Sequence, residues 1–316
     1  MRLIFLVFAF FSTVSVFPQN GKIVEQTLLQ IHLDSLINPA SPMYDPIKKI
    51  LDSVDVYRIT YLSDGLKVKG YMDVPKKRGK FPCIIYNRGG NREYGKLDLG
   101  AFHLYEMAQM ASWGYCVVGS QYRGNDGGDG SEEFGGADVN DVLNLIPYFN
   151  WVERADTSRI GMWGVSRGGM MTYLTLTKTC SIKAAVVLSG LADFKQAVET
   201  RKDIDTMLHD WLPQYRTNKE EFMKQRSPIE HAAEICKTTP IFIIQGTSDW
   251  AVTASQVVDL AKKFYEVKQP FRFSLFEGGG HGVSEFMKEV DRQAKGFFDD
   301  YLRNGKKWPA LEQRGK

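Results

Sequence analysis

A serine set between two glycines is the residue of this chain best placed to do chemistry. Gly164-Val165-Ser166-Arg167-Gly168 follows an apolar run, Arg159 to Gly164, and leads at once into helical spacing from Gly168 to Lys178. Gly-x-Ser-x-Gly between a strand and a helix makes a turn so tight that the serine takes a strained backbone. A side chain at either glycine would strike the neighbouring strand or helix. Such a turn lifts the hydroxyl clear of the chain and aims the first helical amides at the same point. A serine hydroxyl is a poor nucleophile at neutral pH, so it needs a base, and the base needs an orienting carboxylate. The chemistry implied is acyl transfer.

Five histidines could supply the base: His32, His103, His209, His231 and His281. Only His281, in Gly278-Gly279-Gly280-His281-Gly282, sits just beyond the C-terminal end of an expected strand, where open α/β sheets assemble their sites. The carboxylate is expected on a loop between the serine and the histidine, and Asp249 in Gly246-Thr247-Ser248-Asp249-Trp250 meets that condition. The order Ser166, Asp249, His281 is the one α/β-hydrolases use. An oxyanion hole completes the set. One donor is expected from the backbone amide of Arg167, the other from Gly89 or Gly90 in Asn87-Arg88-Gly89-Gly90-Asn91, each typically worth about 3 kcal/mol in the transition state.

The elements that must position these residues follow from periodicity. Val54 to Leu62 and Leu66 to Val74 alternate about Asp64-Gly65 and read as an antiparallel hairpin. Apolar runs at 81–86, 114–120, 159–164, 183–188, 240–245 and 271–276 read as buried strands, with helical spacing after most of them. The expectation is an α/β fold of eight strands, mostly parallel and flanked by helices. Residues 137–152 read as one helix, and Thr253-Ala254-Ser255-Gln256 as a capping box opening the helix 254–267. Residues 191–236 are too long for a crossover and read as a helical insertion before the seventh strand. Residues 20–53, with Leu28, Leu29, Ile31 and Leu36 as a stripe, read as a helical extension. The hydrolytic domain spans 54–305, and 306–316 form a polar tail.

Composition narrows the partners. Hydrophobic residues at 43% and charged residues at 24% exclude wholesale disorder. A net charge of +3 is too small and dispersed for nucleic acid. Lys76, Lys77, Arg78 and Lys80 read as a solvated turn. Arg2, the apolar run Leu3 to Phe11, and small residues Thr13 and Ser15 describe a signal peptide over 1–19, with export to a periplasmic or extracellular space. The run is short for a spanning helix, so a retained anchor is the lesser reading. Cys83 and Cys116 fall inside strands and read as buried thiols. A disulfide is permitted by export, but the scattered cysteines do not call for one, and no metal-ligand spacing is present. Asp126, Asp129, Glu132 and Glu133 lack the spacing of a calcium-binding loop. No cofactor motif occurs, so none is expected.

From about Val54 onward the chain resembles the catalytic domain of the prolyl oligopeptidase family of serine peptidases. The resemblance lies in 161–169 around Ser166, in Tyr122-Arg123-Gly124, in 134–139, in Ser227-Pro228-Ile229, and in the loops of Asp249 and His281. It implies the α/β-hydrolase fold and the triad Ser166, Asp249 and His281. It also implies cleavage of amide bonds in small peptides through an acyl-enzyme. The alternative on the same triad is a carboxylesterase or deacetylase acting on an ester. A binding protein on an inactive scaffold would lack a triad member, and all three are present. Two features depart from the family: Arg88 and Asn91 flank the oxyanion glycines, and only about thirty residues lie between the leader and the first expected strand, too few for the propeller of larger members.

Overall fold

The computed structural model describes residues 19–308 and Leu311; the expected signal peptide, all but its last residue, and most of the expected polar tail lie outside the described residues. Strands covered on both faces become continuous apolar runs, and these form the parallel part of one sheet: β4 (Phe81–Asn87), β5 (Cys116–Ser120), β6 (Ala155–Val165), β7 (Ile182–Leu188) and β8 (Ile241–Gly246). The parallel edge strand β9 (Phe271–Phe276), expected to be buried, is half-buried because no strand among the described residues pairs beyond it. The hairpin β2 (Val54–Ser63) and β3 (Leu66–Pro75) joins antiparallel through β3 and β5. Among the described residues the sheet has nine strands rather than eight, in the order β1 (Ile23–Leu28)-β2-β3-β5-β4-β6-β7-β8-β9.

The additional strand is β1 (Ile23–Leu28), paired antiparallel with β2 at the edge. It falls in the segment expected to be helical. Its side chains are almost all exposed, so no alternation marks it, and backbone pairing with β2 decides its conformation. The helical content of 20–53 is a short 3₁₀ turn and α1 (Tyr44–Leu51).

Two cores flank the sheet. On one face α2 (Ala101–Ser112) and α11 (Met287–Phe298) pack with α1, through Met107, Met110, Val290 and Phe297. On the other lie α3 (Val139–Leu143), α4 (Leu145–Tyr148), α5 (Arg167–Leu176) and α10 (Ala254–Glu266). The expected helix over 137–152 is therefore two short helices and a 3₁₀ turn. Asn144 ends the first, its side chain donating to Ser63, and Pro147 falls in the first turn of the second, where a missing N–H costs little. The capping box is not formed as a reciprocal pair. Gln256 Oε1 instead accepts from Ala192 and Asp193 N–H, so the side chain serves the tertiary contact.

Residues 191–236 form the expected insertion, four helices α6 (Phe194–Thr200), α7 (Lys202–Trp211), α8 (Pro213–Thr217) and α9 (Lys219–Arg226). Edge-on contacts of Phe194 and Tyr215 with Phe222 hold them together. Cys83 and Cys116 are buried free thiols, while Cys180 and Cys236 form a disulfide that ties the end of the insertion to the segment after α5. The bridge closes a loop with a sequence separation of 56, which in the chain-entropy treatment stabilises the fold by about 4 kcal/mol. Guanidinium unfolding with and without dithiothreitol should show a loss of that order; equal unfolding free energies would contradict it.

Candidate active site

β4 and β6 lie side by side, and the chain leaves them in opposite directions across the sheet, to β5 on one flank and β7 on the other. Such a reversal opens a crevice at the carboxyl ends of the strands. Gly89 follows β4 and Ser166 follows β6, so the glycine loop and the serine turn face each other there.

Ser166 has φ 56° and ψ −122°, a conformation costing about 1–3 kcal/mol for a residue with a side chain. Close packing enforces it. A Cβ on Gly168 would lie 1.9 Å from the Asn87 carbonyl oxygen, and one on Gly164 2.3 Å from that of Gly168. Asn87 Nδ2 donates to Thr172 Oγ1, which donates to the Gly168 carbonyl, pinning the turn to β4. Ser166 N–H donates to the Leu188 carbonyl at the end of β7.

Asp249 and His281 are brought together. His281 Nδ1 lies 3.0 Å from each carboxylate oxygen of Asp249. The Asp249 carboxylate also accepts from the Ala251 and Val252 amides, both 2.9 Å, and from Gln245 Nε2 at 3.1 Å. Burial pushes the Asp249 carboxyl up, but the bond and charge of His281, the Val252 amide and the Ser189 hydroxyl outweigh it and hold the group below its ordinary value. The His281 loop reaches the serine side of the crevice through Ser189, the residue after Leu188, whose Oγ accepts from Gly282 N–H at 3.0 Å. Ser166, Asp249 and His281 thus share one rim.

The glycine loop rests on charges that sequence reasoning missed. Arg88 is buried and donates to the carbonyls of Gly89 (3.1 Å), Gln121 (2.9 Å) and Arg92 (3.2 Å). Arg167, equally buried, donates to the Gly90 carbonyl at 3.1 Å and pairs with Asp138 and Glu132, each at 2.7 Å. Tyr122 faces both guanidinium groups and donates to the Arg88 carbonyl. Burial and the neighbouring Arg167 lower Arg88 to about 10, and Arg167 keeps Glu132 a carboxylate against the effect of burial.

A trans peptide points its C=O and the following N–H in opposite directions. Anchoring the carbonyls of Arg88 and Gly89 therefore fixes where the Gly89 and Gly90 amides point, whereas the Asn91 amide is spent on the Tyr94 carbonyl. Gly89 lies against Ser166, since a Cβ there would be 3.2 Å from Ser166 Cβ. The Arg167 amide, at the first position of α5, has no partner within the helix.

Of the other histidines, His209 and His231 belong to the insertion, and His32 precedes the 3₁₀ turn. In the acidic loop Asp126 pairs with Arg58 and Glu132 with Arg88 and Arg167, while Asp129 and Glu133 accept from the Lys67 and Ala137 amides; among the described residues no group of three His, Cys, Asp or Glu is placed to hold a metal. The insertion meets the site through two cation–π contacts. Arg92, beside the glycine loop, lies over Trp211 at 3.9 Å, and Arg201 over Trp250 at 4.7 Å.

Comparison with known families settles the lineage. The model of the prolyl oligopeptidase family matches residues 101–305. The chain belongs to the prolyl oligopeptidase family. It is 30% identical over 218 residues to the uncharacterized peptidase YtmA of Bacillus subtilis, covering 69% of this chain and 82% of that protein. Acylaminoacyl peptidase of Pyrococcus horikoshii superposes with a TM-score of 0.69 at 25% identity, over 86% of this chain and 45% of that one. The chain therefore spans less than half of that larger peptidase. The fold is also that of an acetyl xylan esterase from Paenibacillus sp. R4, with a TM-score of 0.63 at 18% identity over 88% of each chain. The acetyl xylan esterase (AXE1) family model matches residues 34–143. The fold is that of an α/β-hydrolase, and the chain is a serine hydrolase.

Proposed function

We propose that this hydrolase cleaves amide bonds of short peptides, with Ser166 as nucleophile, His281 as base and Asp249 as its orienting carboxylate. The observation that carries the proposal is the Asp249–His281 pair on the same rim as the strained Ser166. Ser166 Oγ attacks the scissile carbonyl carbon as His281 Nε2 takes its proton, and the amides of Arg167 and of Gly89 or Gly90 receive the oxyanion. The same proton passes to the leaving amine as the C–N bond breaks. Water then attacks the acyl-enzyme, again through His281, and Ser166 is regenerated.

The peptidase relatives favour an amide substrate. Trp211 and Trp250, held by Arg92 and Arg201, are exposed where the insertion meets the site loops and offer aromatic faces to a substrate chain. The second reading, an acyl esterase, draws on one specific finding: the AXE1 match covers the Arg88-Gly89-Gly90 loop. The disulfide supports placement in an oxidising space, periplasmic or extracellular.

A panel of short aminoacyl and dipeptidyl p-nitroanilides set against p-nitrophenyl acetate and acetylated xylan separates the readings. Anilide turnover is the expected result. Ester turnover with no anilide cleaved would end the peptidase reading and leave the esterase.

A further inference from the structure

We propose that Ser189 is a positioning residue of the hydrolytic reaction, its hydroxyl joining the acid loop to the histidine loop. The inference rests on the triad reading above. Ser189 is fully buried at the end of β7, with its N–H donating to the Ile244 carbonyl of β8. It takes φ 48°, a left-handed conformation that glycine adopts freely and serine does not. A serine held there at a cost points to a use for its side chain.

That side chain acts on two loops. Ser189 Oγ accepts from Gly282 N–H at 3.0 Å, the peptide group that follows His281. The hydroxyl also helps to hold the Asp249 carboxyl below its ordinary value. It therefore reaches His281 through the backbone and Asp249 through its charge, while its neighbour Leu188 holds the Ser166 amide. Three loops from three strands converge on one residue.

Before the histidine its loop is held by Gly278 N–H donating to Thr247 and by Ser248 N–H donating to the Gly279 carbonyl. After it Gly282 has positive φ, with nothing within 4 Å of where a side chain would project, and its N–H is fixed by Ser189. That bond restricts the swing of the imidazole, and the nearby hydroxyl favours the ionised Asp249 that Nδ1 meets. No part of the Gly-x-Ser-x-Gly pattern or of the Asp249 and His281 loops specifies this residue.

Ser189→Ala and Ser189→Gly together test the proposal on p-nitrophenyl acetate. Glycine removes the hydroxyl and also relieves the backbone, so that variant remains folded. A hydrogen bond to a charged group is worth enough that both variants should lose about 10- to 100-fold in kcat, with KM changed less than about twofold. The downfield proton resonance of His281 Nδ1–H should shift in both, because the carboxylate it meets has lost a donor. Wild-type kcat in Ser189→Gly, or a lowered kcat with an unmoved resonance, would overturn the proposal, since either leaves Ser189 a backbone or packing residue. Failure of the triad itself is distinguishable: the wild-type protein would then not react with a fluorophosphonate at Ser166.

Discussion

Ser166→Ala lowers kcat by about 10⁶-fold, the scale seen when the nucleophile of such a triad is removed. The fold should survive the change. Ser166 makes no side-chain capping bond to α5, and alanine pays the same backbone strain as serine at φ 56°. What remains is the oxyanion hole and substrate binding, worth a residual acceleration over water of about 10³–10⁴-fold. Steady-state kinetics on the best substrate of the panel, with thermal unfolding followed by circular dichroism, gives both numbers. A variant within tenfold of wild type would mean that another group attacks the carbonyl.

Asp249→Asn is the second large effect, about 10⁴-fold in kcat. The carboxylate accepts from His281 Nδ1, from two backbone amides and from Gln245. An asparagine has one acceptor oxygen, and the amides of Ala251 and Val252 claim it. Its NH₂ then faces Nδ1 and favours the tautomer with the proton on Nε2, so the ring can no longer accept from Ser166. The same residue carries a pH signature in stability. Its folded carboxyl is held below the ordinary value, so its ionised form stabilises the fold above the unfolded value of about 3.9. That contribution is lost as pH falls through the depressed folded value. The stability difference between wild type and Asp249→Asn, from guanidinium unfolding, should be widest at neutral pH and shrink in acid; a difference independent of pH would contradict the assignment.

The candidate site was legible where sterics or chain order constrain the residue type. Gly164 and Gly168 announce the turn because no side chain fits against Asn87 and Thr172. Asp249 and His281 stand out because each follows an apolar run that reads as a strand, in the order that brings them to one edge of the sheet. The supporting groups were not legible in the same way. Arg88 and Ser189 work through contacts with residues far along the chain, Gln121 and Gly282, which local spacing does not encode. The signals were faint: a cation beside loop glycines, and a single hydroxyl closing the apolar run of β7.

The fold shows a similar division. Central strands declare themselves by continuous apolar runs, whereas Ile23–Leu28 is an edge strand whose side chains face solvent. Its neighbours Leu29 and Ile31 do pack on the core, which gave the segment a misleading helical stripe. Gln256 shows a tertiary contact displacing a local one, since its side chain serves Ala192 and Asp193 rather than the N–H groups of its own helix. Cys180 and Cys236 pair with a sequence separation of 56 because β7 and β8 are parallel neighbours, so the end of the insertion comes back to the edge of the sheet where β7 begins. Elimination offered the one hint, the other two cysteines lying inside strands.

The most direct measurement is reaction with a fluorophosphonate followed by peptide mapping. One equivalent should attach to the peptide carrying Ser166, and His281→Ala should slow the attachment by several orders of magnitude. A wild-type protein that takes no label, or takes it on a different serine at an unchanged rate in His281→Ala, would show that these residues do not act together as an esterolytic or peptidolytic centre.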